Sequence, residues 1–169
     1  PDSATVQNNL ARVVRALGKP QEAEQLYRKS LETALTKSGA DSLDAASRYN
    51  NLAMFLQEQQ KWGESAELIR KALAIWKKEL PANHPIIAKG LSNLGIALQG
   101  ENQLDDALGL LRQSLSMREA ALDADHPDVA KARQNVAAIL IRMNKPAEAE
   151  PLYRAALAAL VARLGYAHP

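Results

Sequence analysis

Asn9-Leu10-Ala11 returns as Asn51-Leu52-Ala53, as Asn93-Leu94-Gly95 and as Asn135-Val136-Ala137, each 42 residues after the one before. Self-similarity at a fixed period of that size is the signature of a repeat array. The whole unit recurs with the triplet. Three residues on stands an apolar side chain (Val14, Leu56, Leu98, Leu140), followed by a break at Gly18, Gln60, Asn102 or Asn144. A second block then brings Ala23, Ser65, Ala107 and Ala149, next Tyr27, Ile69, Leu111 and Tyr153, and last Ser30, Ala72, Ser114 and Ala156. Four copies plus Pro1 account for the 169 residues, with repeats expected at about 1–42, 43–84, 85–126 and 127–169 as one array.

Each copy holds two helical patterns. In the third, Ile87, Leu91, Leu94 and Leu98 recur every three to four residues, as do Leu108, Leu111, Leu115 and Leu122 in the following block. First helices are expected near 2–17, 44–59, 86–101 and 128–143, and second helices near 21–38, 63–80, 105–122 and 147–164. Asp2, Asp44 and Asp128 suit first-helix starts, where a carboxylate meets free N–H groups and the positive dipole end. Pro20 and Pro146 suit second-helix starts, where a missing N–H costs nothing, whereas Pro151 lies deeper and removes one bond.

Composition narrows the class. The chain is 47% hydrophobic and 24% charged but only 4% aromatic, which favours many close helix contacts over one thick core. No apolar run nears the roughly 20 residues of a membrane span, and no signal pattern opens the chain. A formal charge of +2 from dispersed Lys and Arg argues against nucleic acid as partner. The absence of Cys fits a reducing compartment, so a cytoplasmic location is expected. Starting and ending at one phase of the repeat, the chain reads as a piece of a longer array.

A 42-residue period would also suit HEAT repeats or WD40 blades. Blades fail because nothing alternates with period two. Ala23-x3-Tyr27-x2-Ser30 and Ala149-x3-Tyr153-x2-Ala156 place small residues a turn either side of a large one, which lets two helices approach closely. With Leu94-Gly95, that resembles the tetratricopeptide pattern. The usual unit there has eight residues fewer. The extra ones fall in the connectors Leu80-Pro-Ala-Asn-His84-Pro85, Leu122-Asp-Ala-Asp-His126-Pro127 and Leu164-Gly-Tyr-Ala-His168-Pro169. Together with Glu148-Ala-Glu-Pro-Leu-Tyr153-Arg154, they make the whole chain similar to the kinesin-light-chain-like tetratricopeptide class. The first connector, Ser38-Gly-Ala-Asp-Ser42-Leu43, departs from it and is expected to be looser.

Site chemistry is sparse. His84, His126 and His168 share a phase, but helix spacings of about 8–10 Å keep equivalent residues too far apart for one Zn²⁺. They read as connector structure, and no metal or cofactor is expected. No nucleophile triad, phosphate loop or carboxylate pair stands out, so no catalysis is expected either. Glu24 with Arg28 and Glu67 with Lys71 read as solvated helix pairs. Trp62 reads as connector packing and Trp76, late in a second helix, as lying in the outer layer, and both read as core or connector rather than binding site.

The Asn ladder is the exception. Asn9, Asn51, Asn93 and Asn135 precede the core position by one residue and so lie near the edge of the buried face, where an amide offers donor and acceptor together. Two readings stand: a brace to the neighbouring repeat, or a row of amides binding an extended peptide. The resemblance implies the second, in a concave groove lined by first helices. It places Thr5, Ser47, Lys89 and Lys131 one turn before the ladder and Arg12, Met54, Ile96 and Ala138 nearly one turn after. The chaperone-tail carboxylate clamp of the family is missing, since Asn8, Asn50, Ser92 and Gln134 precede the ladder where a cation is required.

The expected fold is therefore all-α: a right-handed α-solenoid of four antiparallel helix pairs. The expected function is non-catalytic binding of a protein or peptide segment, acidic by the predominance of Arg12, Arg15, Lys89, Lys131 and Arg142 over Glu58. The candidate contacts are Asn9, Asn51, Asn93, Asn135, Arg12, Asn50, Lys89 and Lys131. The alternatives are a self-associating scaffold or spacer, and a regulatory module beside an enzyme domain. Ala155–Ala162 is apolar nearly all round, and Val6, Leu10, Val13 and Leu17 form a matching first-helix stripe, so head-to-tail association through the terminal repeats is a further expectation.

Overall fold

The break residues set the architecture. Gly18, Gln60, Asn102 and Asn144 all take the left-handed region, with φ of 74°, 58°, 62° and 58°. At each, two bonds close the preceding helix: in the second repeat Gln60 N–H bonds Gln57 O and Lys61 N–H bonds Leu56 O, both at 2.9 Å. Such a left-handed stop satisfies carbonyls that would otherwise be orphaned, and it turns the chain within three residues. Glycine holds the conformation at no steric cost, and asparagine tolerates it better than most residues.

The computed structural model describes residues 3–164, without the Leu164 side chain; Asp2 and the His168-Pro169 connector lie outside these. Its eight helices are α1 (Ser3–Ala16), α2 (Pro20–Ser38), α3 (Leu43–Glu58), α4 (Trp62–Glu79), α5 (Pro85–Gly100), α6 (Leu104–Ala121), α7 (Pro127–Arg142) and α8 (Pro146–Leu164). These bounds fall within a residue or two of the sequence expectation. Pro20 and Pro146 do open second helices, and Pro151 sits inside α8. The starts of α3 and α7 are capped not by Asp44 and Asp128 but by the residue just before each helix, and α5, for which no Asp was expected, is capped in the same way. Ser42 Oγ accepts from Ala45 N–H at 3.0 Å, and the Nδ1 atoms of His84 and His126 accept from Ile86 and Asp128 N–H at 3.2 and 3.1 Å. Asp44 and Asp128 follow in the first turn, where the dipole still favours them.

Two compact units result, one ending at Pro81 and the other beginning at Ala82. In the first, the late part of α2 returns to the start of α1, where Ser30 Oγ donates to Ala4 O at 2.7 Å, so the pair is antiparallel. Its core is Leu52, Phe55, Leu56, Ile69 and Trp76. Trp76 is only 1% exposed and so belongs to that core rather than to an outer layer. Trp62 is half-buried at the first residue of α4, in the connector role.

The second unit repeats the scheme. Ser114 Oγ donates to Ala88 O at 2.5 Å, joining α6 to the start of α5. Here the helices approach more closely still: a Cβ on Gly95 would lie 2.8 Å from Leu111 Cγ and 3.2 Å from Ala107 O. Ala11, Ala53 and Ala137 occupy that phase elsewhere. The buried apolar residues of α7 include Val129, Val136, Ile139 and Leu140.

Candidate binding surface

Burial divides the Asn ladder. Asn9 is exposed, Asn51 and Asn135 are half-buried, and Asn93 is buried. Asn51 Nδ2 donates to Asn8 Oδ1 at 3.0 Å, bridging α3 to α1, so in the first unit this position braces neighbouring repeats. A second polar row lies one residue earlier. Asn8, Asn50 and Ser92 are all buried, and Asn50 Nδ2 lies 3.6 Å from Met54 Sδ. One residue is a rotation of 100° about a helix, which carries this row further towards the core than the ladder itself. The sequence analysis uses this row only to exclude the carboxylate clamp and takes Asn50 alone of it as a candidate contact, although Asn8, Asn50 and Ser92 recur at the same period.

The cations also divide. Arg15 Nη1 donates to Glu58 Oε1 at 2.9 Å, tying α1 to α3. Arg142 donates to Gln99 O at 2.7 Å and to Asn102 Oδ1 at 3.3 Å, so it closes the end of α5 from α7. Two of the five expected groove cations are thus engaged between repeats. Arg12, Lys89 and Lys131 are exposed and form no ion pair among the described residues. Lys89 and Lys131 stand at one phase on α5 and α7.

Sequence reasoning also passed over Arg118. Arg118 of α6 is half-buried and donates to Ser92 Oγ at 3.1 Å and to the Ser114 hydroxyl. Burial pulls its guanidinium pKa down, opposed by Asp128. The available signal was its place in an otherwise apolar series, with Ala34, Trp76 and Leu160 at the same phase. Among the described residues, no three His, Asp or Glu side chains gather as a metal site, and no helix is long and apolar enough to cross a membrane.

The family model for the tetratricopeptide repeat matches residues 2–53, 43–120 and 91–160. The chain belongs to the tetratricopeptide-repeat family. Solved structures agree on the fold across its length. The chain is similar to BtubC (BKLC) from P. vanneervenii, with a TM-score of 0.86, 21% identity and 98% of this chain covered. It is also similar to a Podosopora anserina protein of nearly identical TPR-like repeats that is named for the kinesin light chain, with a TM-score of 0.79, 24% identity, and coverage of 96% of this chain and 77% of that one. The chain spans 66% of the length of BtubC. No curated protein matches it significantly. This tetratricopeptide chain thus has the α-solenoid fold of those structures, and tetratricopeptide repeats generally mediate protein–protein interactions.

Proposed function

We propose that this tetratricopeptide chain is a cytoplasmic, non-catalytic module that binds an extended acidic or phosphorylated protein segment on the surface formed by its first helices. The observation that carries the reading is the pair Lys89 and Lys131, equivalent residues on α5 and α7, exposed and without an ion-pair partner among the described residues. Arg12 on α1 has the same character. A single cation on a helix surface is ordinary, but two at one phase of adjacent repeats match the periodic charge of an extended acidic peptide. Within each unit the ladder would supply amides beside these cations, Asn9 and Asn51 with Asn50 beneath them in the first and Asn135 with the more deeply set Asn93 in the second.

Peptides of equal length, acidic, phosphorylated and basic, compared by fluorescence anisotropy, test this directly. The acidic and phosphorylated ones should bind, more weakly as salt is raised, because exposed charges are screened within about 8 Å at physiological ionic strength. Replacing both Lys89 and Lys131 with Ala should weaken binding by about 1 kcal/mol while helicity stays unchanged. Stronger binding of the basic peptide, or binding that rises with salt, would overturn the assignment. The scaffold reading draws on the Asn51–Asn8 brace. Asn51→Ala and Asn93→Ala separate the two: affinity lost without melting temperature favours a ligand role, and equal loss of both favours a brace.

A further inference from the structure

The caps that open α5 and α7 are imidazoles. Pro85 and Pro127 are the first residues of these helices and carry no N–H, so Ile86 and Asp128 hold the first backbone donors. Those donors go to His84 Nδ1 at 3.2 Å and to His126 Nδ1 at 3.1 Å. A backbone N–H bonds Nδ1 only while that nitrogen has no proton, so the contact fixes both rings as neutral, with their proton on Nε2. Ser42, which opens α3 in the first unit, makes no such demand. Its hydroxyl accepts from Ala45 N–H whatever the pH near neutrality.

A proton added to Nδ1 reverses the cap. An imidazolium has two donors and no acceptor, so the Ile86 or Asp128 N–H loses its partner, and a positive charge is left at the positive end of the helix dipole. Imidazole is the side chain that changes charge between about pH 5 and 8. For His126, the charged groups that the surrounding elements carry at this end are Asp123 and Asp125 of the connector, Asp128, Lys131 and Arg133 of α7, Arg118 and Glu119 of α6, Lys89 of α5 and Arg163 of α8. For His84 they are Lys89 of α5, Arg118 and Glu119 of α6, and Asp128 and Lys131 of α7, with Lys77, Lys78 and Glu79 before its connector in sequence. Among the described residues none of them offers a second acceptor to the Ile86 or Asp128 N–H.

We infer that His84 and His126 make the first helices of the second unit sensitive to pH. Between about pH 7.5 and 5.5, protonation releases both caps and frays the first turns of α5 and α7, while α3 keeps its start on Ser42. Lys89 and Lys131 stand one turn into the two affected helices. On the function proposed above, the acidic segment therefore loses its fixed cations over the same pH range.

Nitrogen-15 spectra of the imidazoles and amide exchange, both on the full chain, test the caps directly. At neutral pH both rings should carry the proton on Nε2 and leave Nδ1 bare. Protection at the Ile86 and Asp128 amides, corrected for the intrinsic effect of pH on exchange, should fall relative to Ala45 by about fivefold at about pH 5.5, the typical worth of an N-cap. Replacing both imidazoles, His84→Ser with His126→Ser, should keep the neutral-pH protection, as Ser42 does for α3, and remove its pH dependence. Rings with the proton on Nδ1 at neutral pH would overturn the inference, as would wild-type protection at Ile86 and Asp128 that tracks Ala45 throughout; neither result needs a variant. So would a folded double-serine chain that still loses protection as the wild type does. A chain that shows the switch but binds no acidic peptide at any pH would uphold the caps and overturn the proposed function instead.

Discussion

The connector between α2 and α3 and the connector between α6 and α7 do the same task with different chemistry. In the first, Gly39 takes a φ of 86°, and Ser42 Oγ both donates to Gly39 O at 2.9 Å and caps α3. In the second, His126 N–H bonds Asp123 O at 2.9 Å, His126 Nδ1 caps α7, and Pro127 supplies a preset first residue. Serine and histidine are therefore interchangeable as caps, and the first connector is not defective for lacking His-Pro. What separates the two is Arg133. From α7 it donates to Ala124 O at 3.0 Å and to Glu119 Oε1 at 3.0 and 2.8 Å, strapping connector and preceding helix together. Tyr49 occupies that phase in the first unit, under Lys71 Nζ at 5.7 Å from the ring centroid. The first joint has instead the Tyr27–Phe55 contact, the pairs Arg28–Glu64 and Lys61–Glu24, and the bonds Arg15–Glu58 and Asn51–Asn8.

If that contrast is right, the largest effect comes from the ring contact. Phe55→Ala removes a fully buried side chain from the face that α3 offers to α2, and such truncations cost about 3–5 kcal/mol. Because each repeat touches only its neighbours, the loss should fall on α1 and α2 first. Amide hydrogen exchange would show protection collapsing in residues 3–38 while 86–122 stay protected. Equal collapse in both ranges would mean that the first joint is no weaker than the second.

Removing the strap should make the second joint resemble the first. Arg133→Ala deletes charge-assisted bonds to Glu119 and a bond to Ala124 O from a largely covered guanidinium, a cost of roughly 1.5–3 kcal/mol. Wild-type protection should be greater around residues 119–129 than around 35–45, and the variant should erase that difference. A variant whose exchange near 124 is unchanged would show that the caps alone hold these connectors.

Much of the fold was legible because its determinants are local. A left-handed stop at Gly18, Gln60, Asn102 and Asn144, an N1 proline at Pro20 and Pro146, and apolar spacing each leave a mark within one repeat. Site residues were less legible because their state depends on the next repeat. Nothing near Arg142 in sequence announces that it reaches Gln99 O, 43 residues earlier, or that Arg15 reaches Glu58. The four Asn residues look equivalent in sequence but differ in burial, since each depends on what the adjoining helices place around it. The depth of Trp76 is illegible for a similar reason: late position in a second helix suggests the outer layer, while its burial comes from the helices around it.

The smallest effect expected is on pH, and it again distinguishes the two joints. The Lys61 ammonium beside Glu24, helped by Arg28 and opposed by partial burial, holds the Glu24 carboxyl below its ordinary value of 4.5. A carboxylate depressed in the folded state adds stability that is fully present above the unfolded pKa and is lost as pH falls through the folded one. Acidification from neutrality should therefore leave this joint intact until the pH drops below about 4.5, and then weaken it. Leu108 stands at the phase of Glu24 in the second unit, so the α6–α7 side has no counterpart to lose there. Glu24→Gln should lower wild-type stability at neutral pH by about 0.5–1 kcal/mol, the range of a well-formed surface pair. The two proteins should converge once the pH has fallen through the depressed pKa and the carboxyl is protonated. Urea unfolding of both across that range would show it. Curves that stay parallel down to the lowest pH would mean that the Glu24–Lys61 contact contributes nothing to the joint, which would then rest on Tyr27 with Phe55, Arg28 with Glu64, Arg15 with Glu58 and Asn51 with Asn8.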